Sequence, residues 1–328
     1  MRNMNPKEYK LFEKIVSLDQ KTLKRYMATY LRKIYPEVLE TKDYICAEGV
    51  IPIALVAHMD TVFFKPATTI YYDRQKNTMW SPMGLGADDR AGVFAIIQIL
   101  QSGLRPHIIF TTDEEKGCLG AEALAKTECP FQELKYIIEL DRRGTQDCVF
   151  YDCDNEEFVD FVEKYGFLEN WGSFSDISEI CPLWKVAGVN LSIGYDNEHS
   201  EIETLNVSAM FSTIDKVKRM LIESTEAPYF KYIPNLYYYD WILKRYGKST
   251  YTCKCCQNEF PEVEIFMAKG KDNTVSYYCT ECAQTNMTWC HFCNEPFETK
   301  DMTRTICYDC EEKANDSVTG EPEDKKPI

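Results

Sequence analysis

The sequence predicts an α/β protein: a three-layer sandwich with a mixed, largely parallel central sheet, followed by a small zinc-ribbon-like module at the C-terminus. Three observations favour this fold class. Short apolar runs typical of buried strands alternate with helical patterns, one helical segment is apolar nearly all round, and four Cys-x-x-Cys pairs crowd the last quarter of the chain. The 328 residues suffice for one sizeable domain and a small appendage, because single domains usually run to about 100–200 residues.

Apolar periodicity gives the order of the elements. Four apolar runs predict buried strands: Ile51–Ala57, His107–Thr112, Lys135–Leu140 and Val189–Ile193. Helical spacing predicts two amphipathic helices between Pro6 and Ile34, a buried helix over Ala91–Leu100, and an amphipathic helix from Val207 that closes the first domain near Ser224. Because helices alternate with strands, we expect a largely parallel sheet with helices on both faces.

The charge balance narrows the classes of partner. The chain has 37 basic and 52 acidic residues, a net charge of −15, which disfavours nucleic acid and anionic membrane surfaces. The N-terminus lacks the apolar run of a signal peptide, and no apolar stretch approaches the roughly 18 residues of a membrane span, so we expect a cytoplasmic protein. Small molecules, peptides or a protein partner remain.

Five clusters of polar residues lie at the ends of predicted strands or in the loops that follow. Each has a structural alternative, such as an aspartate that caps a helix or acidic residues in a solvated loop. A shared metal site accounts for all five at once, because carboxylates and imidazoles at one sheet edge can bind the same cations. The clusters contain His58 and Asp60, Asp88 and Asp89, Asp113 to Glu115, Glu139 and Asp141, and Glu198 and His199.

Taken in order, these motifs resemble the two-zinc exopeptidase clan that includes peptidase T, succinyl-diaminopimelate desuccinylase, carboxypeptidase G and the bacterial leucine aminopeptidases. The resemblance covers about residues 50 to 222. It implies a cis peptide bond between Asp88 and Asp89, and it implies the following roles: His58 and Asp141 bind one zinc, Glu115 and His199 the second, Asp88 bridges both, Asp60 orients His58, and Glu114 is the general base.

The resemblance implies a zinc-dependent exopeptidase, either an aminopeptidase or a dipeptidase, that hydrolyses short peptides through a metal-activated water. Two catalytic zinc ions are expected, although other divalent metals would suit the same ligands. Two alternatives stay open: an amidohydrolase acting on N-acyl amino acids, and an inactive hydrolase scaffold that serves as a zinc-finger interaction protein. About 58 residues separate Asp141 from His199, too few for the lid or dimerisation domain inserted in peptidase T and carboxypeptidase G.

The C-terminal cysteines form a second constellation. Two thiolates at Cys-x-x-Cys spacing can bind the same tetrahedral zinc, so four such pairs predict two structural zinc ions. If neighbouring pairs along the chain share a zinc, the module consists of two zinc ribbons; if alternate pairs share one, it has the crossed arrangement of a RING-like brace. Neither arrangement needs Cys255 or His291 as a ligand. Acidic residues outnumber basic ones here, which favours a protein partner over nucleic acid. The eight ligands are Cys253, Cys256, Cys279, Cys282, Cys290, Cys293, Cys307 and Cys310.

We therefore expect five segments along the chain. Residues 1–40 form N-terminal helices that pack on the catalytic domain, and residues 41–225 form the di-zinc hydrolase domain. An aromatic-rich connector, 226–250, leads to a zinc-binding module, 251–312, and a disordered tail, 313–328, which is charged and poor in apolar residues.

Overall fold

The computed structural model describes residues 2–234, 250–261, 265–271, 274–291, 293, 296–303, 305–308 and 310–311. The chain divides into two compact units, Met1–Asn235 and Leu236–Ile328, which we call the N-terminal unit and the C-terminal unit. Most of the predicted connector, 235–249, and the predicted disordered tail, 313–328, lie outside the described residues.

The N-terminal unit is a sandwich of strands and helices. Its strands are β1 (Val38–Glu40), β2 (Tyr44–Ala47), β3 (Ile51–His58), β4 (Tyr71–Asp73), β5 (Thr78–Trp80), β6 (Pro106–Thr111), β7 (Tyr136–Arg142), β8 (Asp147–Val149), β9 (Leu168–Glu169), β10 (Gly188–Ser192), β11 (Tyr195–Asp196) and β12 (Thr204–Asn206). Its α-helices are α1 (Pro6–Val16), α2 (Gln20–Leu31), α3 (Ala87–Gln101), α4 (Leu119–Ala125), α5 (Glu156–Glu163), α6 (Asp176–Trp184) and α7 (Val207–Ile222).

Eight strands form the central sheet, in the order β1-β2-β6-β3-β7-β10-β8-β9. The four middle strands, β6, β3, β7 and β10, pair in parallel, whereas β1, β2 and β8 join through antiparallel pairs. The predicted mixed, largely parallel sheet is confirmed, and the four predicted strands are its parallel middle.

Helices cover both faces of this sheet. Helix α3 packs on β3 and β7, with α1 and α7 against it, while α4 and α6 pack together on the opposite face. Successive side chains of a strand point to opposite faces, so β3 contributes Leu55 and Ala57 to one core and Ala54 and Val56 to the other. The three-layer sandwich is therefore confirmed. Because the middle strands are parallel, their carboxyl ends meet at one edge, where open α/β sheets place their ligands.

A second, four-stranded antiparallel sheet, ordered β11-β12-β5-β4, lies in the same unit. Strands β11 and β12 pair through Tyr195 and Leu205 and present the loop that carries His199. The chain between Asp141 and His199 holds β8, α5, β9, α6 and β10, which belong to the sandwich, and β11, which pairs in the second sheet. This segment thus forms no separate domain.

The N-terminal unit continues beyond the predicted domain end at residue 225. Phe230 is buried in the main core, where its ring packs against Phe158 and Tyr136. The Lys135 ammonium donates hydrogen bonds to the carbonyl oxygens of Ser224 and Ala227 at 2.8 and 2.7 Å. The first part of the aromatic-rich segment is therefore part of the sandwich.

The described residues of the C-terminal unit form short hairpins and one short α-helix. They are β13 (Thr250–Thr252), β14 (Glu259–Pro261), β15 (Ile265–Lys269), β16 (Val275–Cys279), α8 (Thr280–Asn286), β17 (Met287–Trp289), β18 (Pro296–Glu298), β19 (Met302–Thr303) and β20 (Ile306–Cys307). Its buried clusters are small, one around Cys253, Ala268 and Tyr278 and another around Cys290 and Phe297. Cores of this size supply little stability, so metal binding would have to contribute to folding. Across the described residues of both units, no helix is long and apolar enough to span a membrane.

Candidate metal centre

Five predicted ligands converge from five different elements of the N-terminal unit. His58 ends β3, Asp88 lies at the start of α3, and Asp141 lies near the end of β7. Glu115 lies in a single 3-10 turn, Glu114–Lys116, after β6, and His199 lies in the loop between β11 and β12. The residues thus meet at the carboxyl edge of the parallel strands.

The five side chains form two groups that share Asp88. In the first group, His58 Nε2 lies 3.0 Å from Asp88 Oδ1 and 3.6 Å from Asp141 Oδ1. In the second, His199 Nε2 lies 3.2 Å from Asp88 Oδ2 and 3.0 Å from Glu115 Oε2. Each group offers one ligand atom per residue, and these atoms all lie within 4.8 Å of one another. Asp88 therefore directs one carboxylate oxygen toward each group.

This geometry fits two divalent cations. Nitrogen and oxygen ligands bind zinc at about 2.0–2.1 Å, so two ligand atoms on one tetrahedral zinc lie about 3.3 Å apart. The observed separations of 3.0 to 3.6 Å match that spacing. Glu115 Oε1 is buried, and the described part of the chain holds no hydrogen-bond partner for it. The donor set, two imidazoles and three carboxylates, suits zinc and similar metals.

Two ionisable groups of the site, Asp141 and His199, have raised pKa values. Burial and the nearby Asp88 raise the pKa of Asp141 to about 7. Hydrogen bonds to Asp88 and Glu115 raise the pKa of His199 to about 11. A cluster of this charge density needs positive compensation, which divalent cations would supply.

Asp60 supports the centre from behind His58. Its Oδ1 lies 3.4 Å from His58 Nδ1, on the side of the ring opposite Asp88. Its two carboxylate oxygens also accept the backbone N–H groups of Glu114 and Glu115, both at 3.1 Å. Asp60 thus lies beside the His58 ring, and it fixes the turn that carries both glutamates. The contact with the turn was not predicted from the sequence.

Glu114 faces both groups of ligands. Its Oε2 lies 3.8 Å from His58 Nε2, and its side chain is buried. Burial, with Asp141 and Asp176 nearby, raises the pKa of Glu114 to about 8. A carboxylate of raised proton affinity beside a cation site is suited to take a proton from water and to return it later.

The turn that carries Glu114 also contains Asp113, whose backbone is left-handed at φ 56°, a conformation that is uncommon outside glycine.

Three residues that the sequence did not single out as ligand supports hold Asp141 in place. The buried Tyr195 hydroxyl donates to Asp141 Oδ1 at 3.0 Å, and the Ser175 hydroxyl donates to Oδ2 at 3.1 Å. Asn190 Oδ1 accepts the Asp141 N–H at 2.9 Å, and its Nδ2 donates to the Asp141 carbonyl oxygen at 3.1 Å. Asp141 is thereby constrained at both its backbone and its carboxylate.

Glu203 anchors the loop that precedes Asp88. Its carboxylate accepts the backbone N–H groups of Gly86, Ala87 and Asp88, the last two at 3.1 Å. It is fully buried, and nothing in its local sequence distinguishes it from a surface glutamate. The peptide bond between Asp88 and Asp89 is cis, as the resemblance implied.

A cavity of about 290 Å³ opens onto the centre. Asp88, Glu114, Glu115, Asp141 and His199 line it, together with Arg142, Arg143, Glu198 and the loop Ser173–Ser175. A larger cavity of about 520 Å³ lies beside Glu115 and Asp60 and contains only one of the five ligands. The smaller cavity is therefore the candidate substrate site. Asp176, which follows the loop Ser173–Ser175, is fully buried and accepts a hydrogen bond from Thr111.

The C-terminal unit brings the eight cysteines of its Cys-x-x-Cys pairs together as two sets. Cys253, Cys256, Cys279 and Cys282 form one set, and Cys290, Cys293, Cys307 and Cys310 form the other. Within each set, sulfur atoms from the two Cys-x-x-Cys pairs approach each other: Cys256 Sγ lies 4.0 Å from Cys279 Sγ, and Cys293 Sγ lies 3.8 Å from Cys307 Sγ. Two thiolates on one zinc would lie roughly 3.8 Å apart. Burial alone would raise the pKa of Cys253, but backbone N–H groups of Cys256 and Cys279 lower it to about 6. The pairing is sequential rather than crossed, and Cys255 and His291 belong to neither set.

Comparison with known proteins gives a family match for part of the chain and a likeness of fold. The model of peptidase family M28 matches residues 42–163, and no curated protein matches the chain. Solved structures of similar fold include the aminopeptidase PepT from Bacillus cereus, a tripeptidase from Staphylococcus aureus and a TET aminopeptidase from a marine sediment Thaumarchaeota archaeon.

These structures share 14%, 12% and 12% of their aligned residues with this chain, and their TM-scores are 0.54, 0.52 and 0.51. The alignments cover 66%, 67% and 67% of this chain and 98%, 98% and 99% of the other chains. At such identities the likeness is one of fold. Residues 42–163 thus match peptidase family M28, and the fold of the chain is similar to that of these aminopeptidases.

Proposed function

We propose that this chain is a metal-dependent exopeptidase, an aminopeptidase or dipeptidase that hydrolyses short peptides at a two-zinc centre. His58, Asp88 and Asp141 would hold one ion, and Asp88, Glu115 and His199 the other. The observation that carries the proposal is the placement of Asp88, whose two carboxylate oxygens lie 3.0 and 3.2 Å from histidines of different groups. The match to peptidase family M28 and the fold of an aminopeptidase and a tripeptidase support the same activity.

Metal ions at this centre supply Lewis acidity, which lowers the pKa of water and polarises a peptide carbonyl. Glu114 then acts as general base: its carboxylate takes a proton from the attacking water and delivers it to the amine released when the C–N bond breaks. Asp60 holds the backbone of Glu114, so the base keeps its orientation through both proton transfers. Tyr195 and Ser175 hold the Asp141 carboxylate in a fixed geometry.

The alternatives differ from this proposal in substrate or in activity. An N-acyl amino acid amidohydrolase would use the same ligands and the same base on a different amide. An inactive scaffold would have no need of Glu114, yet Glu114 is present and faces both ligand groups. We therefore favour the peptidase.

For the C-terminal unit we propose two structural zinc ions and a role in binding a protein partner. Support comes from the two four-cysteine sets and from the short hairpins that present them. We also propose a cytoplasmic location, because none of the fifteen cysteines forms a disulfide, which is typical of a reducing compartment.

Substitution of the general base tests the proposed activity. The full chain should hydrolyse members of a panel of di- and tripeptides, and Glu114→Gln should lower kcat by about 10²-fold or more while the metal content stays near that of the wild type. Glutamine keeps the size of the side chain but cannot accept the proton. Activity is measured by release of free amino acids, and metal content by elemental mass spectrometry.

Glu122→Gln is the matched control, since Glu122 is an exposed residue of α4 that pairs with Lys126. It should retain wild-type turnover. Undiminished turnover in Glu114→Gln would remove Glu114 from the role of base. If the metal-loaded wild type hydrolysed neither peptides nor N-acyl amino acids, the enzymatic proposal would be wrong.

A further inference from the structure

Two arginines lie beside the metal centre in the candidate substrate cavity. Arg142 is the last residue of β7, directly after Asp141, and Arg143 follows it. Both line the cavity of about 290 Å³ that contains the predicted ligands. With two divalent cations held by the neighbouring carboxylates, as proposed above, these cationic side chains would be available to an anion in the same cavity.

Arg142 has little compensation for its charge within the protein. Its Nη2 donates to the carbonyl oxygen of Trp171 at 3.0 Å, and its nearest carboxylate, Asp147 Oδ2, lies 3.9 Å away, beyond hydrogen-bond distance. The side chain is 17% exposed, and its Nε is buried without a hydrogen-bond partner among the described residues. Among the described residues no carboxylate lies within hydrogen-bond distance of this half-buried guanidinium, so an anionic ligand would stabilise it.

Arg143 is in a different situation. Its Nη1 lies 2.9 Å from Glu198 Oε1, and its side chain is 56% exposed. Glu198 precedes His199, so this ion pair connects the end of β7 to the loop that carries a predicted ligand. Because Glu198 already neutralises Arg143, Arg142 is the better candidate to meet an anion from the substrate.

The size of the cavity limits where that anion can be. A volume of about 290 Å³ lies at the lower end of the roughly 300–1,000 Å³ usual for small-molecule sites. Arg142 adjoins the ligand Asp141 in sequence, so the anion it meets lies close to the scissile bond. Consecutive Cα atoms are about 3.8 Å apart, so in a dipeptide the terminal carboxylate lies a single residue beyond that bond.

We infer that Arg142 binds the C-terminal carboxylate of the substrate and makes this chain selective for free dipeptides over longer or C-terminally blocked peptides. The inference rests on the proposed peptidase function and deepens it by naming the substrate class. A planar guanidinium suits this role because it can donate two parallel hydrogen bonds to a carboxylate.

The test compares alanyl-alanine with alanyl-alanine amide, which differ only in the charge of the C-terminal group. For the metal-loaded full chain we expect a kcat/KM clearly higher for the free dipeptide. Arg142→Met should lower the ratio of the two kcat/KM values by about ten- to a hundredfold, mainly through KM for the free dipeptide. Arg142→Lys should lower it less, because lysine keeps the charge but not the paired donors.

A purely structural role for Arg142, holding the Trp171 loop, would slow both substrates equally and leave the ratio unchanged, and that result would overturn the inference. The control is Arg32→Met, because Arg32 is 53% exposed, pairs with Glu40 and does not line the cavity; its ratio should equal that of the wild type. Should Arg142→Met not fold, the wild-type ratio decides alone: equal hydrolysis of dipeptide and amide contradicts the inference. Hydrolysis of neither compound, nor of any other peptide, would instead contradict the proposed function.

Discussion

At the scale of single residues, the proposed ligand Asp141 is held by three neighbours, Tyr195, Ser175 and Asn190. In the sequence, His58, Asp88 and Asp141 stand out because ionisable side chains beside apolar strands are costly to bury unless they are paired or bind a metal. Tyr195 and Asn190 do not stand out, since a tyrosine and an asparagine in buried strands are unremarkable. Their meaning comes from tertiary contacts with Asp141 that no local pattern encodes.

Removing the Tyr195 hydroxyl tests its role as a positioning residue. Tyr195→Phe deletes the bonds to the Asp141 carboxylate and carbonyl, and we expect zinc affinity at the centre to fall by about 10- to 100-fold. Affinity is measured by competition with a chelator of known strength. Tyr165→Phe is the matched control, because the Tyr165 hydroxyl bonds to Glu223 and its loss should leave zinc affinity unchanged. Equal affinities in the two variants would show that Tyr195 does not position the ligand.

At the scale of elements, the long strands and helices follow from periodicity and the short ones do not. Strands β3, β6, β7 and β10 and helices α1, α3 and α7 lie where apolar patterns predict them. Strands β4, β5, β11 and β12 contain two or three residues each, too few for an alternating pattern to be recognised. Helix α3 begins with non-helical backbone at Asp88 and Asp89, so the ligand loop and the helix form one continuous segment.

The protonation state of His107, in strand β6, can be tested independently of the metal centre. Gly49 N–H can only donate, so His107 Nδ1 accepts it at 3.0 Å, and Nε2–H donates to the Glu133 carbonyl oxygen at 2.7 Å. The ring also stacks on Phe131 at a centroid distance of 4.3 Å. Both ring nitrogens are thus satisfied by the neutral form, and burial lowers the pKa of His107 in the folded protein.

A folded-state pKa below the unfolded value of about 6.5 fixes the sign of the pH effect. As pH falls through 6.5, the unfolded chain takes up a proton that the folded chain does not, so the free energy of unfolding decreases until the folded pKa is reached. His107→Gln cannot titrate in this range, and its urea-unfolding free energy should fall less than that of the wild type between pH 7.5 and about 5.5. Parallel pH profiles for the two proteins would exclude His107 as a source of acid sensitivity.

At the scale of the whole molecule, the sequence predicts two kinds of metal-binding constellation but not the limits of the units that hold them. The N-terminal unit extends to Asn235 because Phe230 and the carbonyls around Ser224 join its core. The aromatic composition of residues 226–250 indicates that the segment packs on another part of the protein, but it does not indicate which part. The domain limits at 1–40, 41–225 and 251–312 therefore stay predictions.

The cysteine pairs also show which features depend on spacing in the sequence and which depend on tertiary contacts. Their spacing predicts two sets of four, whereas the choice between sequential and crossed pairing depends on which hairpins lie side by side. Cys279 ends β16, and its N–H lies 3.4 Å from Cys253 Sγ; Cys307 ends β20, and its N–H lies 3.3 Å from Cys290 Sγ. Backbone contacts of this kind set the sequential arrangement, and spacing alone does not determine them.

The most direct test of the two-cation centre is the zinc content of the full chain and of Asp88→Ala, measured by elemental mass spectrometry on zinc-loaded, desalted protein. Asp88 is the one residue placed in both ligand groups, so its loss should empty both sites and leave the cysteine sets intact. We predict about four zinc ions per chain for the wild type and for the exposed control Asp215→Ala, and about two for Asp88→Ala. The same content in all three proteins would contradict a two-zinc centre bridged by Asp88.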